Sequence, residues 1–457
     1  MAKIESLVPE KIFLFLASFF GLLWILVIPP FQGPDEDAHF YRAFEISEGG
    51  IIAKKNDGKV GDYLPEYLSN TVNALKGSLP HHPEVKIKID NIFDNFYCYN
   101  HRSAPTEKEF CSFPAVYSPV GYLPQVLSIS VGKLFNVSPL VMMYLGRTAN
   151  LFFWITVIFW AIRKIHVGKW LILFVALMPM NLFLATTLNL DTSINSLSLL
   201  LIAIVLYLIF RKERIAKKWI IFIICISVSI SLIKPVYFLF LLYFLIPKAK
   251  LYSPKNYYSI GFLIIILNLL AIFIWNALVK ELFVPPLFED FSPSDQLKFI
   301  LHHPFNFLKT CVKSYWVFKP LLVRSHIGYL GWLDARLPDW LIASYVLALL
   351  LVSLRINDHY LTISNKMTLL GIIILGMIGV GISQYISCSR TGDITIWGLQ
   401  GRYYIPMASL FWLLWQNKFT ATRKILDKYF LLILNSYLFI VLSLSTYYIM
   451  NRYYVFS

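Results

Sequence analysis

Between Asp35 and Arg42 the chain reads DEDAHFYR, which sets three carboxylates, an imidazole and a guanidinium within eight residues. Adjacent carboxylates disfavour each other's second charge, so one of Asp35 and Glu36 can act as a general base near neutrality, with the other as its partner. On a helix, Asp35, His39 and Arg42 fall at i, i+4 and i+7 and share a face, where His39 and Arg42 would orient the base or bind a polar substrate together with Asp37. A plainer reading stands beside this one. Gly33-Pro34 can start a helix, Gly49-Gly50 can end it, and acids in its first turn suit the helix dipole.

Other polar residues interrupt apolar surroundings. Arg147, in LGRTANLFFW, lies about 12 Å into an apolar run at 1.5 Å per residue. A buried arginine there is an anion site, or it pairs with a carboxylate such as Asp191. Asp191 closes LNLDTSIN, as a substrate contact or as a helix N-cap. Lys234, in IKPVYF, is a second cation, with snorkelling to the interface as the alternative. GWLDARLPDW offers Trp332 and Asp334, and WGLQGRYYIP offers Gln400 and Arg402, where contact with lipid headgroups is the competing role for the arginine. Arg147, Lys234 and Arg402 form the candidate set for a lipid phosphate. Asp37, His39, Arg42, Asp191, Trp332, Asp334 and Gln400 form the set for the substrate. The pairs His81-His82 and His302-His303 point apart on a helix or a strand, so no metal site is expected. Cys98 and Cys111 share one polar segment, as a disulfide or as two thiols.

The elements that must position these groups are membrane helices. Of 457 residues, 57% are hydrophobic and only 15% charged, which excludes a soluble core. The net charge of +15 sits in short basic clusters between apolar runs, the pattern of cytoplasmic loops, so no nucleic-acid partner is expected. Spanning takes about 20 apolar residues. Runs at 12–29, 139–162, 170–187, 195–210, 219–233, 236–247, 258–279, 340–354, 367–387, 403–416 and 429–449 predict an all-α polytopic membrane protein of about eleven spans. The first run reads as an uncleaved span. With the N-terminus cytoplasmic, the loops at 163–169, 211–218, 247–255 and 416–428 all lie inside and all are basic. Residues 30–138 and 280–339 then form two long extracytoplasmic loops within a single membrane domain, 1–457. Runs 219–233 and 236–247 read as two short helices meeting at a Lys234-Pro235 bend that lines a cavity. Ser118-Pro119 starts a helix whose Val120, Leu123, Leu127 and Leu134 suit the outer interface, or packing against the loop.

PPFQGPDEDAHFYRAFEISEG, YSPVGYLPQ, YLGRTANLFFW, LMPMNLFLATTLNLDTSIN, IKPVYF, GWLDARLP and QGRYYIP occur in the order seen in the bacterial domain-of-unknown-function 2142 membrane family, which this chain resembles over nearly its whole length. That family is grouped with the GT-C glycosyltransferases, and the resemblance implies a GT-C-like bundle and a catalytic acid in the first outer loop, here Asp35 or Glu36. Members often have proline after GPDE, where this chain has Asp37, which leaves open which acid is the base. The resemblance further implies a sugar donor on a polyprenyl (undecaprenyl) phosphate and work in the cell envelope, such as O-antigen modification, at the bacterial inner membrane. Such a donor carries its own leaving group, so the site needs one base and cations around the phosphate, and neither cofactor nor metal. Direct displacement with one base gives inversion. The expected partners are the donor, a cell-surface or lipid-linked glycan acceptor, and membrane lipids. A transporter or flippase of lipid-linked sugars would use the same cations without a covalent step, and a polysaccharide polymerase would share the acidic loop.

Overall fold

Proline and glycine divide the apolar runs into helices of very different length. The structure is a computed structural model describing residues 8–94, 107–113, 115–251, 253–283, 292–354, 361–416 and 424–455. In chain order the helices are α1 (Pro9–Val27), α2 (Glu36–Ser47), α3 (Glu66–Lys76), α4 (Ile89–Asp94), α5 (Leu123–Leu134), α6 (Pro139–Lys164), α7 (Lys169–Ala176), α8 (Pro179–Ala185) and α9 (Asp191–Phe210). They continue with α10 (Lys217–Ile233), α11 (Pro254–Val279), α12 (Pro293–His302), α13 (Pro304–Val317), α14 (Lys319–Ile327), α15 (Asp339–Leu354), α16 (Ile363–Cys388), α17 (Ile405–Leu413) and α18 (Lys424–Tyr453).

Among the described residues, six helices are long and apolar enough to cross a membrane: α1, α6, α9, α11, α16 and α18. The expected count of about eleven is not met by regular helices. Run 170–187 breaks into α7 and α8 at Met178, and run 236–247 forms a 3₁₀ turn, Leu239–Leu245, instead of an α-helix. The cause is local. Met178 and Lys234 each precede a proline and are held extended, with ψ of 132° and 105°, because the proline ring crowds the α conformation of the residue before it. The chain nevertheless returns after Lys234 to the end where α10 began, since Ile215 N–H donates to the Lys250 carbonyl at 3.0 Å.

The fold is mostly helical, consistent with the expected all-α membrane protein, with small sheets confined to the loops. The first loop holds an antiparallel sheet of β1 (Lys54–Asn56), β2 (Lys59–Pro65) and β3 (Lys108–Ser112). Asp57 and Gly58 both take positive φ between β1 and β2, which is what a tight hairpin with right-handed strand twist requires. The second loop holds a two-residue ladder, β4 (Tyr329–Leu330) and β5 (Ala335–Arg336).

Helix α9 is the axis, with 83% of its apolar window buried, whereas α11 is 17% buried and peripheral. The first and last spans are tied together by Trp24 Nε1 donating to Thr446 Oγ1 at 2.7 Å. Helix α5 turns Leu127 and Leu134 outward, at 68% and 79% exposure, and Gln125 inward, where its amide donates to the Asn189 carbonyl at 2.6 Å. An apolar face turned outward on a loop helix is the geometry of a helix lying in a bilayer interface.

Basic groups gather at one end of the bundle. Lys169 pairs with Glu10 at 3.3 Å, Lys250 donates to the Arg211 carbonyl, and Lys366 donates to the Leu414 carbonyl at 2.9 Å. The start of α2, the start of α9, the end of α10 and the turn before α17 meet at the other end.

Candidate functional site

Helix α2 is anchored by its first residue. Glu36 is fully buried, and its carboxylate accepts four hydrogen bonds: Arg147 Nε and the Leu188 N–H at 2.7 and 2.8 Å on one oxygen, Arg147 Nη2 and the Gly33 N–H at 2.7 and 3.0 Å on the other. Arg147 spends its remaining donors on the carbonyls of Ile28 and Pro29, at 2.7 and 2.8 Å, and on that of Ile25 at 3.3 Å. Both groups are saturated. Two expectations are corrected here: Glu36 has no free lone pair with which to act as a base, and Arg147 has no N–H left for a lipid phosphate. Its partner is Glu36, not Asp191.

This anchor presents the preceding residue. Asp35 sits in the left-handed conformation, φ 55°, ahead of the helix, and its side chain is half exposed. That conformation costs an L-residue roughly 1–2 kcal/mol, less for Asp than for most. Asp35 stays within electrostatic reach of His39, but Arg42 is withdrawn from them, so the expected i, i+4, i+7 stripe of three does not form. Arg42 turns inward, pairing with Glu45 and donating to the Ile51 carbonyl at 2.8 Å. Burial raises the Glu45 carboxyl to about 7 against the pull of Arg42, as desolvation does for any carboxylate.

What Asp35 meets is Arg402. The guanidinium Nη2 lies 3.9 Å from the Asp35 carboxylate, a loose pair, and Arg402 Nε is buried without a hydrogen-bond partner among the described residues. Asp191 and Lys234 form an ion pair alongside, and the Lys234 ammonium lies 5.4 Å above the Tyr403 ring. His39 is hydrogen-bonded to Tyr122 at 2.8 Å; burial lowers its pKa, opposed by the carboxylates of Asp35 and Asp191. The structure therefore brings together Asp35, His39, Asp191, Lys234 and Arg402. A cavity of about 400 Å³ opens beside Lys234 and is lined by Tyr117, Tyr237, Asn276, Gln384 and Tyr403. Its size is within the usual range for small-ligand sites.

The turn Gly401–Tyr404 is held from behind. Gly401 N–H donates to Ser325 Oγ at 2.7 Å, and His326 Nδ1 donates to the Gly401 carbonyl at 2.9 Å. A Cβ on Gly401 would stand 1.9 Å from the Leu322 carbonyl oxygen, so only glycine allows α14 to approach. Tyr237 OH braces the other side by donating to the Tyr403 carbonyl at 2.9 Å. Gln400 is half-buried, and its backbone carbonyl accepts from the Tyr403 N–H at 3.3 Å.

Three expected substrate residues lie elsewhere. Asp37 pairs with Lys76 at 2.6 Å, and the Lys76 ammonium sits 5.1 Å from the Trp332 ring centre. Asp334 accepts from the Trp332 N–H at 3.0 Å and from Arg452 at 2.6 Å, and Arg452 also donates to the Leu79 and Val85 carbonyls. Asp37, Trp332 and Asp334 thus belong to a bracket that fastens both long loops to the last span, which corrects their assignment to the substrate. Among the described residues no three His, Cys, Asp or Glu side chains are grouped for a metal. Cys111 is buried on β3, and Cys98 lies outside the described residues.

Sequence reasoning missed Tyr117, Tyr122 and Tyr237, and gave Tyr403 little weight as a belt residue. Their signal was present in YSPVGY, KPVY and GRYY, three tyrosine motifs each beside a proline or glycine break, but interfacial tyrosines are common enough to hide it.

One family model, described as a predicted membrane protein of domain-of-unknown-function 2142 (DUF2142), matches residues 16–411. The chain belongs to this family. The matched stretch of this DUF2142 protein contains Asp35, His39, Asp191, Lys234 and Arg402 and stops short of Arg452. No curated protein and no solved structure matches it.

Proposed function

We propose that this DUF2142 protein is a GT-C-type glycosyltransferase of the bacterial inner membrane, moving a sugar from a polyprenyl-phosphate carrier to a glycan on the extracytoplasmic face. The observation that carries the reading is Arg402, a buried guanidinium with an unpartnered Nε, held 3.9 Å from a half-exposed carboxylate and next in sequence to Tyr403, which lines the same cavity as the second cation, Lys234. Buried donors in native proteins are nearly always satisfied, so an orphan guanidinium donor beside a second cation points to an absent acceptor, and a phosphate oxygen suits it. The basic end of the bundle supports the proposed orientation, since the positive-inside rule favours that end in the cytoplasm and Asp35 on the other side.

In this reading Lys234 and Arg402 hold the phosphate, and Asp35 alone is the base. The acceptor hydroxyl oxygen bonds to the anomeric carbon, and its proton passes to the Asp35 carboxylate. The carbon–oxygen bond to phosphate breaks, and the electron pair leaves on the polyprenyl phosphate. One displacement gives inversion. Each cation contributes about 10²–10³ in rate when well placed, the base about 10²–10⁴.

The test is purified protein in proteoliposomes with a radiolabelled polyprenyl-phosphate sugar and candidate glycans. Labelled glycan with an inverted linkage, formed equally in EDTA, supports the reading. Labelled carrier crossing the bilayer with no glycan formed would replace it with a flippase, and transfer of whole oligosaccharides from a pyrophosphate carrier with a polymerase.

A further inference from the structure

Across the Gly401–Tyr404 turn from the Lys234 cavity lies a larger one, about 600 Å³, walled by α14, α15, α16 and α17 through Leu322, Leu350, Met377, Ala408 and Trp412. Its chemistry is the opposite of its neighbour's. The wall is almost wholly aliphatic and aromatic, no acidic residue lines it, and its one ordinarily charged residue, Lys319, is exposed, with its ammonium over Trp316. The polar groups collect near the turn. Burial lowers the pKa of the His326 imidazole, which hydrogen-bonds Gly401, and Tyr404 OH donates to Tyr315 OH at 2.9 Å.

The cavity opens sideways. At its rim Val323, Phe411 and Trp415 are 43%, 45% and 50% exposed. Next to the rim, α13 turns Phe305, Leu308, Val312 and Trp316 outward and Phe307, Cys311 and Ser314 inward. An outward apolar stripe beside a cavity walled by the membrane-length α16 places the opening against lipid chains rather than water. One end of this greasy slot therefore faces the bilayer, and the other abuts the turn that carries Arg402.

We propose that this second cavity receives the hydrocarbon chain of a lipid-linked glycan acceptor, so that donor and acceptor both arrive as lipids on opposite sides of the Gly401–Tyr404 turn. The inference rests on the transferase reading above. Charge decides which substrate goes where. The phosphate-bearing donor needs the cavity with Lys234, and a slot without a buried cation suits a chain whose charged or sugar-bearing head lies beyond it, near Asp35.

The test is photolabelling in nanodiscs with two probes, a polyprenol and a polyprenyl phosphate, each bearing a diazirine on the isoprene unit next to the head group, with adducts mapped by mass spectrometry. The expected result is polyprenol adducts on α14 and α17 at least fivefold above those on the lipid-facing side of α11, and phosphate-probe adducts concentrated at residues 231–237. Ala408→Trp and, separately, Leu350→Trp should each remove the polyprenol adducts at least fivefold while leaving those at 231–237, with melting temperature confirming folded protein. Labelling of α14 and α17 at the α11 background would overturn the proposal. Equal labelling of them by the phosphate probe would also overturn it, by giving the slot to the donor. If labelling holds and no glycan is ever formed, the lipid site stands and the transferase reading fails; if transfer holds without labelling, only this inference fails.

Discussion

Replacing Glu36 by Gln tests whether this acid is an anchor or a base. The change keeps the shape and removes one charge, leaving Arg147 fully buried with five donors, two of which lose a carboxylate partner. Each charge-assisted hydrogen bond is worth about 1.5–3 kcal/mol, and breaking one side of a buried ion pair costs about 3–5 kcal/mol, so the loss should fall in that upper range. At about 2 °C per kcal/mol, the low end for large domains, the melting temperature in detergent should drop by roughly 6–10 °C. Glu36→Gln combined with Arg147→Met removes the stranded charge and should recover part of the loss, giving a coupling of about 1–3 kcal/mol in a double-mutant cycle. Thermal unfolding of the purified variants measures this. A Glu36→Gln protein that melts like wild type but has lost transfer would refute the reasoning and return Glu36 to the role of base.

Three further outcomes can be checked on the same preparations. Lys234→Met and Arg402→Met should each slow transfer by about 10²–10³, read as kcat in a steady-state assay, because each removes a donor from the departing phosphate. Gly401→Ala should weaken transfer as Arg402→Met does, since its Cβ would collide with the Leu322 carbonyl oxygen at 1.9 Å and displace the turn; unchanged kinetics would show that the turn does not place Arg402. His39 should make the protein acid-sensitive. Its pKa is lowered by burial from an ordinary 6.5, so the unfolded chain takes up the proton first, and the stability present above about pH 6.5 drains away as pH falls below it. Melting curves at pH 7.5 and 5.5 should therefore diverge more for wild type than for His39→Gln.

Uninterrupted apolar length made α1, α6, α9, α11 and α16 legible, because no other element can satisfy backbone groups over about twenty apolar residues. The bend at Lys234-Pro235 was legible, but the break at Met178 was not, since hydropathy counts side chains whereas the proline ring acts on the backbone before it. Gly49 was read correctly as the end of α2: it takes φ 90°, and Gly50 N–H returns to the Glu45 carbonyl at 3.0 Å. Within the site, residue types were legible and pairings were not. For Arg147 the sequence suggested a carboxylate such as Asp191, and only the fold, which brings residue 188 and Arg147 to the start of α2, reveals Glu36 as the partner. Asp35 and Glu36 looked interchangeable as the base. What singles it out is its left-handed backbone, which no composition or spacing encodes.

Asp35 can be isolated from every structural role discussed, because Asn tolerates the same backbone conformation and keeps the size of the side chain. The decisive measurement is single-turnover transfer by Asp35→Asn against wild type, with matched melting temperatures and with donor binding measured alongside. The predicted result is a fall of about 10²–10⁴ in rate with donor affinity little changed. Transfer at the wild-type rate by a folded Asp35→Asn protein would contradict the assignment of this carboxylate as the base.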